Sequence, residues 1–341
     1  MPIELRRLRA LRLAWGTALC LAISFGLALP VPILAPVFAV LLLAMRSQPL
    51  PLRAAPLLAL LVLLSCGSGL LLIPLLRHAP VSGVLLVGVG VYLVLRYALQ
   101  GGNGLLANLL VIGLTMIAAA GTSDFTLALS VVEAMAKGML LATLGCAFVH
   151  LLFPEPADAP APPAPARLSG DEVGWVALRA TLIVMPAFLL ALIAPDQYMP
   201  LIMKSVSLGQ QAGETRARHA SRELIGSTLL AGVLAILVWG ALGLFVHLWM
   251  FFLWVLLLCL WQARRLYQAV LTRQSPAYWV SCLTTFLILL GQSVQDSAAG
   301  QDVYRAFAVR MALFVAVSLY ASGMLIWIDR RRVEPHRPLR G

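Results

Sequence analysis

The run Ala194-Pro195-Asp196-Gln197-Tyr198-Met199-Pro200-Leu201-Ile202-Met203-Lys204-Ser205-Val206-Ser207-Leu208-Gly209 is the stretch on which the reading of this chain turns. A full-length apolar segment precedes it. Two prolines bracket an acid, an amide and an aromatic ring, and a short apolar run carrying a lysine and two serines follows. A straight helix needs about 20 apolar residues to cross a bilayer, and this run supplies about half of that. A short, proline-started, polar half-helix beside a complete one is how many transporters build a binding site at membrane depth. A plain loop followed by a short buried helix is the competing reading.

Composition assigns the class. Of 341 residues, 61% are hydrophobic and 11% charged, against about 25% charged in a soluble domain. The chain reads as an all-α integral membrane protein. Its net charge of +11 does not point to nucleic acid, because the arginines flank apolar segments and act as topology signals. The cysteines at 20, 66, 146, 259 and 282 all lie inside apolar segments without zinc-ligand spacing, so free, packed thiols are expected. Arg6-Arg7-Leu8-Arg9 before an apolar run imitates a signal peptide, but Leu29-Pro30-Val31-Pro32 offers no small-x-small cleavage site. An uncleaved first helix is expected.

Twelve apolar segments follow in order, at about 11–29, 33–45, 54–76, 81–95, 105–120, 125–153, 175–194, 198–208, 224–247, 249–261, 277–291 and 303–328. Segments 2, 8 and 10 are short, so protein or thinned bilayer must shield them. Residues 292–301, with Asp296, read as a polar turn. Residues 1–153 form a first membrane repeat and 154–173 a Pro/Ala-rich linker. Residues 174–329 form a second repeat and 330–341 a basic tail. Each half opens Ala-Leu-Arg, at Ala10-Leu11-Arg12 and Ala177-Leu178-Arg179, then runs long helix, proline break, short helix, arginine turn, long helix. Six crossings per half make the repeats parallel. With the N-terminus in the cytoplasm and all twelve segments crossing, only Arg77, Arg305 and Arg310 fall outside. The positive-inside rule therefore favours twelve crossings, with both termini and the linker cytoplasmic.

The opening 11–19, then Leu29-Pro30-Val31-Pro32, then a short apolar run resembles the start of the fusaric acid resistance superfamily, to which the aromatic carboxylic acid exporter permease belongs. The stretch Arg222-Glu223-Leu224-Ile225-Gly226-Ser227-Thr228-Leu229-Leu230-Ala231-Gly232 is loosely similar to one those proteins carry at a long helix start. Larger relatives place a soluble domain between the halves, where this chain has only its linker. The resemblance implies an inner-membrane permease exporting aromatic or amphipathic organic acids, driven by protons, with a periplasmic membrane-fusion adaptor and an outer-membrane channel as partners. A non-transporting envelope scaffold and an intramembrane lipid-modifying enzyme are the alternatives from other classes. A homo-oligomer is compatible with each.

Lys137 and Lys204 are the only lysines, and both fall inside apolar segments. A charge at the bilayer centre costs about 2.5–3.5 kcal/mol on insertion scales. Glu133, four residues before Lys137, can neutralise it as a structural pair or couple it to a proton. Lys204 has no local acid. It either snorkels to an interface or binds an anion. Arg310 lies about 10 Å into the last segment. Its planar guanidinium suits a carboxylate, so Lys204 and Arg310 are expected to line one polar cavity, with Asp196 as a third member. The competing reading makes Arg310 a counter-ion for Asp196, Glu133 or Asp302. Hydroxyls such as Thr284 and Thr285 are expected only to bridge helices. The chain has no Walker A motif, and Gly88-Val89-Gly90 lacks the third glycine of a dinucleotide loop. No cofactor, no metal and no catalytic set is implied.

Overall fold

A computed structural model describes residues 3–45, 53–155, 170–211, 217–245 and 247–332. Within these, twelve helices succeed one another. They are α1 (Ile3–Gly26), α2 (Leu34–Met45), α3 (Ala54–His78), α4 (Pro80–Leu99), α5 (Gly104–Ser123), α6 (Phe125–Leu152), α7 (Gly170–Ile193), α8 (Pro195–Gln211), α9 (Ala217–Leu242), α10 (Leu248–Leu266), α11 (Pro276–Ala298) and α12 (Val303–Arg332). Ten include a stretch long and apolar enough to cross a membrane, and the chain is an all-α polytopic membrane protein. Short polar residues set the helix starts. Asn103 accepts from the amides of Leu105 and Leu106, and Ser275 accepts from that of Tyr278 with Pro276 opening the helix. Two long helices change winding midway. Ser68–Leu72 of α3 tightens to a 3-10 turn, and Gly113–Ile117 of α5 widens to a π turn.

Three helices differ from the sequence reading. The run at 198–208 belongs to a longer, 17-residue helix that is still below spanning length, because Pro195 occupies its first turn, where no intrahelical N–H is needed. Segment 10 is not short: α10 has 19 residues and runs through Arg264 and Arg265. The Arg265 guanidinium folds back over the Trp261 ring at 3.8 Å, so the basic residues continue the helix. The turn expected at 292–301 is helical as far as Ala298, which puts Asp296 in the last turns of α11.

Contacts between helix ends show the path of the chain. Arg6 donates to the carbonyl of Gln268, Arg9 and Arg12 pair with Glu155, and Tyr267 donates to the carbonyl of Leu43. The start of α1 and the ends of α2, α6 and α10 therefore share one face, called here the N-terminal face. Arg77 donates to the carbonyl of Gly121 at the opposite face. The short α2 thus returns to the side on which α1 began. It can be short because protein encloses it: Leu34, Phe38, Ala39 and Val40 are fully buried.

Packing repeats between the halves. The pairs α1–α2, α2–α6, α3–α6, α3–α5 and α4–α5 recur as α7–α8, α8–α12, α9–α12, α9–α11 and α10–α11. The halves meet through two equivalent seams, α1 on α10 and α4 on α7, and through α2–α11 and α5–α8. The most enclosed long helices are α5 and α11, whose apolar windows are 72% and 78% buried against 22% for α4. With the two short helices they make up the centre. The arginines that open the halves, Arg12 and Arg179, are both buried.

Candidate functional site

At the centre of the second half, Lys204 of α8 is 1% exposed. Its ammonium donates to Thr285 Oγ1 at 2.8 Å and Ser281 Oγ at 3.3 Å, both on α11. The two acceptors stand one turn apart on the same face of that helix. Ser227 of α9 donates to Ser281 Oγ at 3.3 Å. The next residue of α9, Thr228, meets the Ser318 hydroxyl at 3.1 Å and links α9 to α12. Four helices of the second half therefore contribute to one polar seam. An ammonium has three donors, and this one has two hydroxyl partners. Among the described residues no carboxylate pairs with it. An ammonium held only by neutral hydroxyls is costly to keep charged in a low dielectric, and an anion would compensate that charge.

The equivalent position in the first half is built differently. There α3 and α5 approach backbone to backbone. A Cβ placed on Gly69 would stand 2.0 Å from the Gly113 carbonyl oxygen, and one on Gly113 would stand 2.6 Å from that of Ser65. Only glycine permits this contact, and it brings the 3-10 turn of α3 against the π turn of α5. The π turn also packs on α8, the helix of Lys204. Two similar scaffolds thus enclose different centres, one sealed by glycines and one carrying a cation.

The expected pairing of Lys204 with Arg310 in one cavity does not occur. Arg310 makes a two-pronged ion pair with Asp296, at 2.5 and 2.7 Å. Thr285, beside Lys204, and Asp296 stand about 16 Å apart along α11 at ~1.5 Å per residue. The extra helical turns of α11 cause the difference: they carry Asp296 inward to meet Arg310. Asp302, one of the counter-ions considered, instead accepts from the amides of Tyr304 and Arg305 and caps α12. The Asp196 side chain lies outside the described residues. Lys204 itself does not snorkel.

Glu133 and Lys137 form the expected i, i+4 pair at 2.5 Å on α6. Their side chains are 61% and 50% exposed, so they face away from the bundle and share no contact with the Lys204 seam. Sequence reasoning missed Ser227 and Ser281 and read Thr285 as a helix bridge. The available signal was the Ser281/Thr285 spacing of four on an otherwise apolar helix, but it acquires meaning only once α8 is known to pack there.

Residues 9–149, less than half of the chain, match the model of a family described as a protein of unknown function, DUF2955. The match covers most of the first half and stops short of Lys204. No curated protein and no solved structure matches the chain.

Proposed function

We propose that this protein is a permease for organic anions and that Lys204 holds the anion during passage. The observation that carries the reading is the buried ammonium with hydroxyl partners and no acid among the described residues. A scaffold has no use for such a group, since an apolar side chain would pack there at lower cost. The hydroxyls of Ser281, Thr285 and Ser227 would orient a carboxylate, and the ammonium would supply the charge. The two-repeat architecture supports alternating access, in which the halves rock about a site near the midplane. The resemblance of residues 11–32 to the fusaric acid resistance superfamily supports aromatic or amphipathic carboxylic acids as the substrate class. It also supports proton drive and a periplasmic adaptor with an outer-membrane channel. The arginine distribution supports an inner-membrane location with cytoplasmic termini.

The test is efflux of radiolabelled aromatic acids from cells carrying the wild type, Lys204→Met or no copy. Wild-type cells should retain less label than empty cells, and Lys204→Met cells should match the empty ones at equal membrane abundance. Undiminished export by Lys204→Met would remove the lysine from the mechanism. Equal retention in all three would remove this substrate class.

A further inference from the structure

The two seams that join the halves are equivalent in topology and different in filling. At α1–α10 the chain closes the seam with its own aromatic rings: Phe25 on Phe251 at 5.3 Å and Trp15 on Phe252 at 5.5 Å. At α4–α7 a cleft of about 780 Å³ remains, within the ~300–1,000 Å³ range of ligand sites. Its walls are Val84, Leu85, Gly88, Val89, Leu182 and Met185. Leu85 and Val89 are among the exposed residues of a helix apolar enough to span the membrane, so the cleft opens where lipid lies. At the N-terminal-face end the lining changes character. Tyr92, Arg96 and Trp175 meet there. Among the described residues Arg96 makes no ion pair and no acid lines the cleft. The Trp175 indole N–H is buried without an acceptor. An indole N–H enclosed this way leaves a donor unsatisfied, and it stands at the same end as a guanidinium.

We infer that the α4–α7 cleft is a binding site for an anionic phospholipid, with one acyl chain along the apolar walls and the phosphate on Arg96, beside the Tyr92 and Trp175 rings. The cleft meets the hydrocarbon region, which favours a ligand that arrives from the bilayer. Arginine binds phosphate through paired charge-assisted hydrogen bonds, and the aromatic residues cluster only at the head end, as at a membrane interface. Gly88 keeps the groove open: a Cβ there would make only ordinary contact with Met185 at 3.6 Å, while a longer side chain would fill the space. This site is separate from the Lys204 seam and does not depend on the transport reading.

The test uses the full-length protein, delipidated in detergent and re-equilibrated with phosphatidylglycerol, phosphatidylcholine or free dodecanoate, with retained ligand counted by native mass spectrometry. The wild type should retain phosphatidylglycerol over phosphatidylcholine by roughly tenfold, the scale of one charge-assisted contact. Arg96→Gln, at an exposed position, should bring the two lipids to near-equal retention. Gly88→Leu should lose both. Equal retention of the two lipids by the wild type, or an unchanged preference in Arg96→Gln, overturns the assignment. Retention of dodecanoate without phosphatidylglycerol overturns the lipid and identifies a free amphipathic acid as the occupant.

Discussion

Replacing Lys204 with methionine should make the protein more stable while abolishing transport. The lysine is 1% exposed, and its ammonium has two hydroxyl partners. A lysine charge at membrane depth costs about 2.5–3.5 kcal/mol on insertion scales. Side-chain hydrogen bonds between membrane helices return on average ~0.6 kcal/mol each, so two offset a little over a third of that cost. Thr285 retains its own bond to the Ser281 carbonyl at 2.7 Å when the lysine is gone. Methionine has similar length and adapts to irregular space, so no large cavity opens. The balance favours Lys204→Met by about 1–2 kcal/mol. Equilibrium unfolding in mixed micelles, with helicity as the signal, would read this as a shift of the midpoint to higher denaturant. An unfolding free energy that falls by more than about 1 kcal/mol would refute the reasoning. It would mean that the lysine holds α8 against α11 and is structural.

Asp296→Asn should destabilise the fold by ~2 kcal/mol, less than the 3–5 of a fully buried pair because Arg310 is 17% exposed; adding Arg310→Met should recover most of it in the same unfolding assay. Gly69→Ala should sharply reduce folded protein recovered from membranes, since its Cβ would press on the Gly113 carbonyl at 2.0 Å, whereas Gly240→Ala, in open space, should express normally. Glu155 loses water on burial, which raises its pKa, but the Arg9 and Arg12 hydrogen bonds outweigh this and hold it below the ordinary carboxylate range. Its contribution is therefore full above the unfolded value of about 4.3 and is lost as pH falls through the folded value. Acid titration should cost the wild type more stability below about pH 4 than Glu155→Gln. Replacing Glu133 with Gln and Lys137 with Met together should leave efflux unchanged, because the pair lies on the outward face of α6; lost efflux at normal abundance would assign it a coupling role.

Much of the architecture was legible in the residues. Apolar runs of membrane length, the arginines between them and the recurring Ala-Leu-Arg opening yield an all-α membrane protein of two parallel six-helix halves. These signals are local, because each segment must satisfy the bilayer by its own length and composition. Helix ends were less legible. Residues 292–298 look like a turn by composition, yet their helix continues because Asp296 finds Arg310 on α12. Segment 10 looks short because basic residues read as a helix terminus, while stacking on Trp261 lets the helix carry them. At the candidate site, sequence alone marked Lys204 as costly and therefore worth watching. It could not supply the lysine's partners, Ser281 and Thr285, which come from α11, far along the chain. Nor could it separate Lys204 from Arg310. Two cations on α8 and α12, with three helices between them along the chain, are equally compatible with one cavity or two. Local chemistry determined which side chains the membrane penalises; only the packing of helices distant in sequence decided which of those penalties a neighbouring acid relieves and which one meets hydroxyls alone among the described residues.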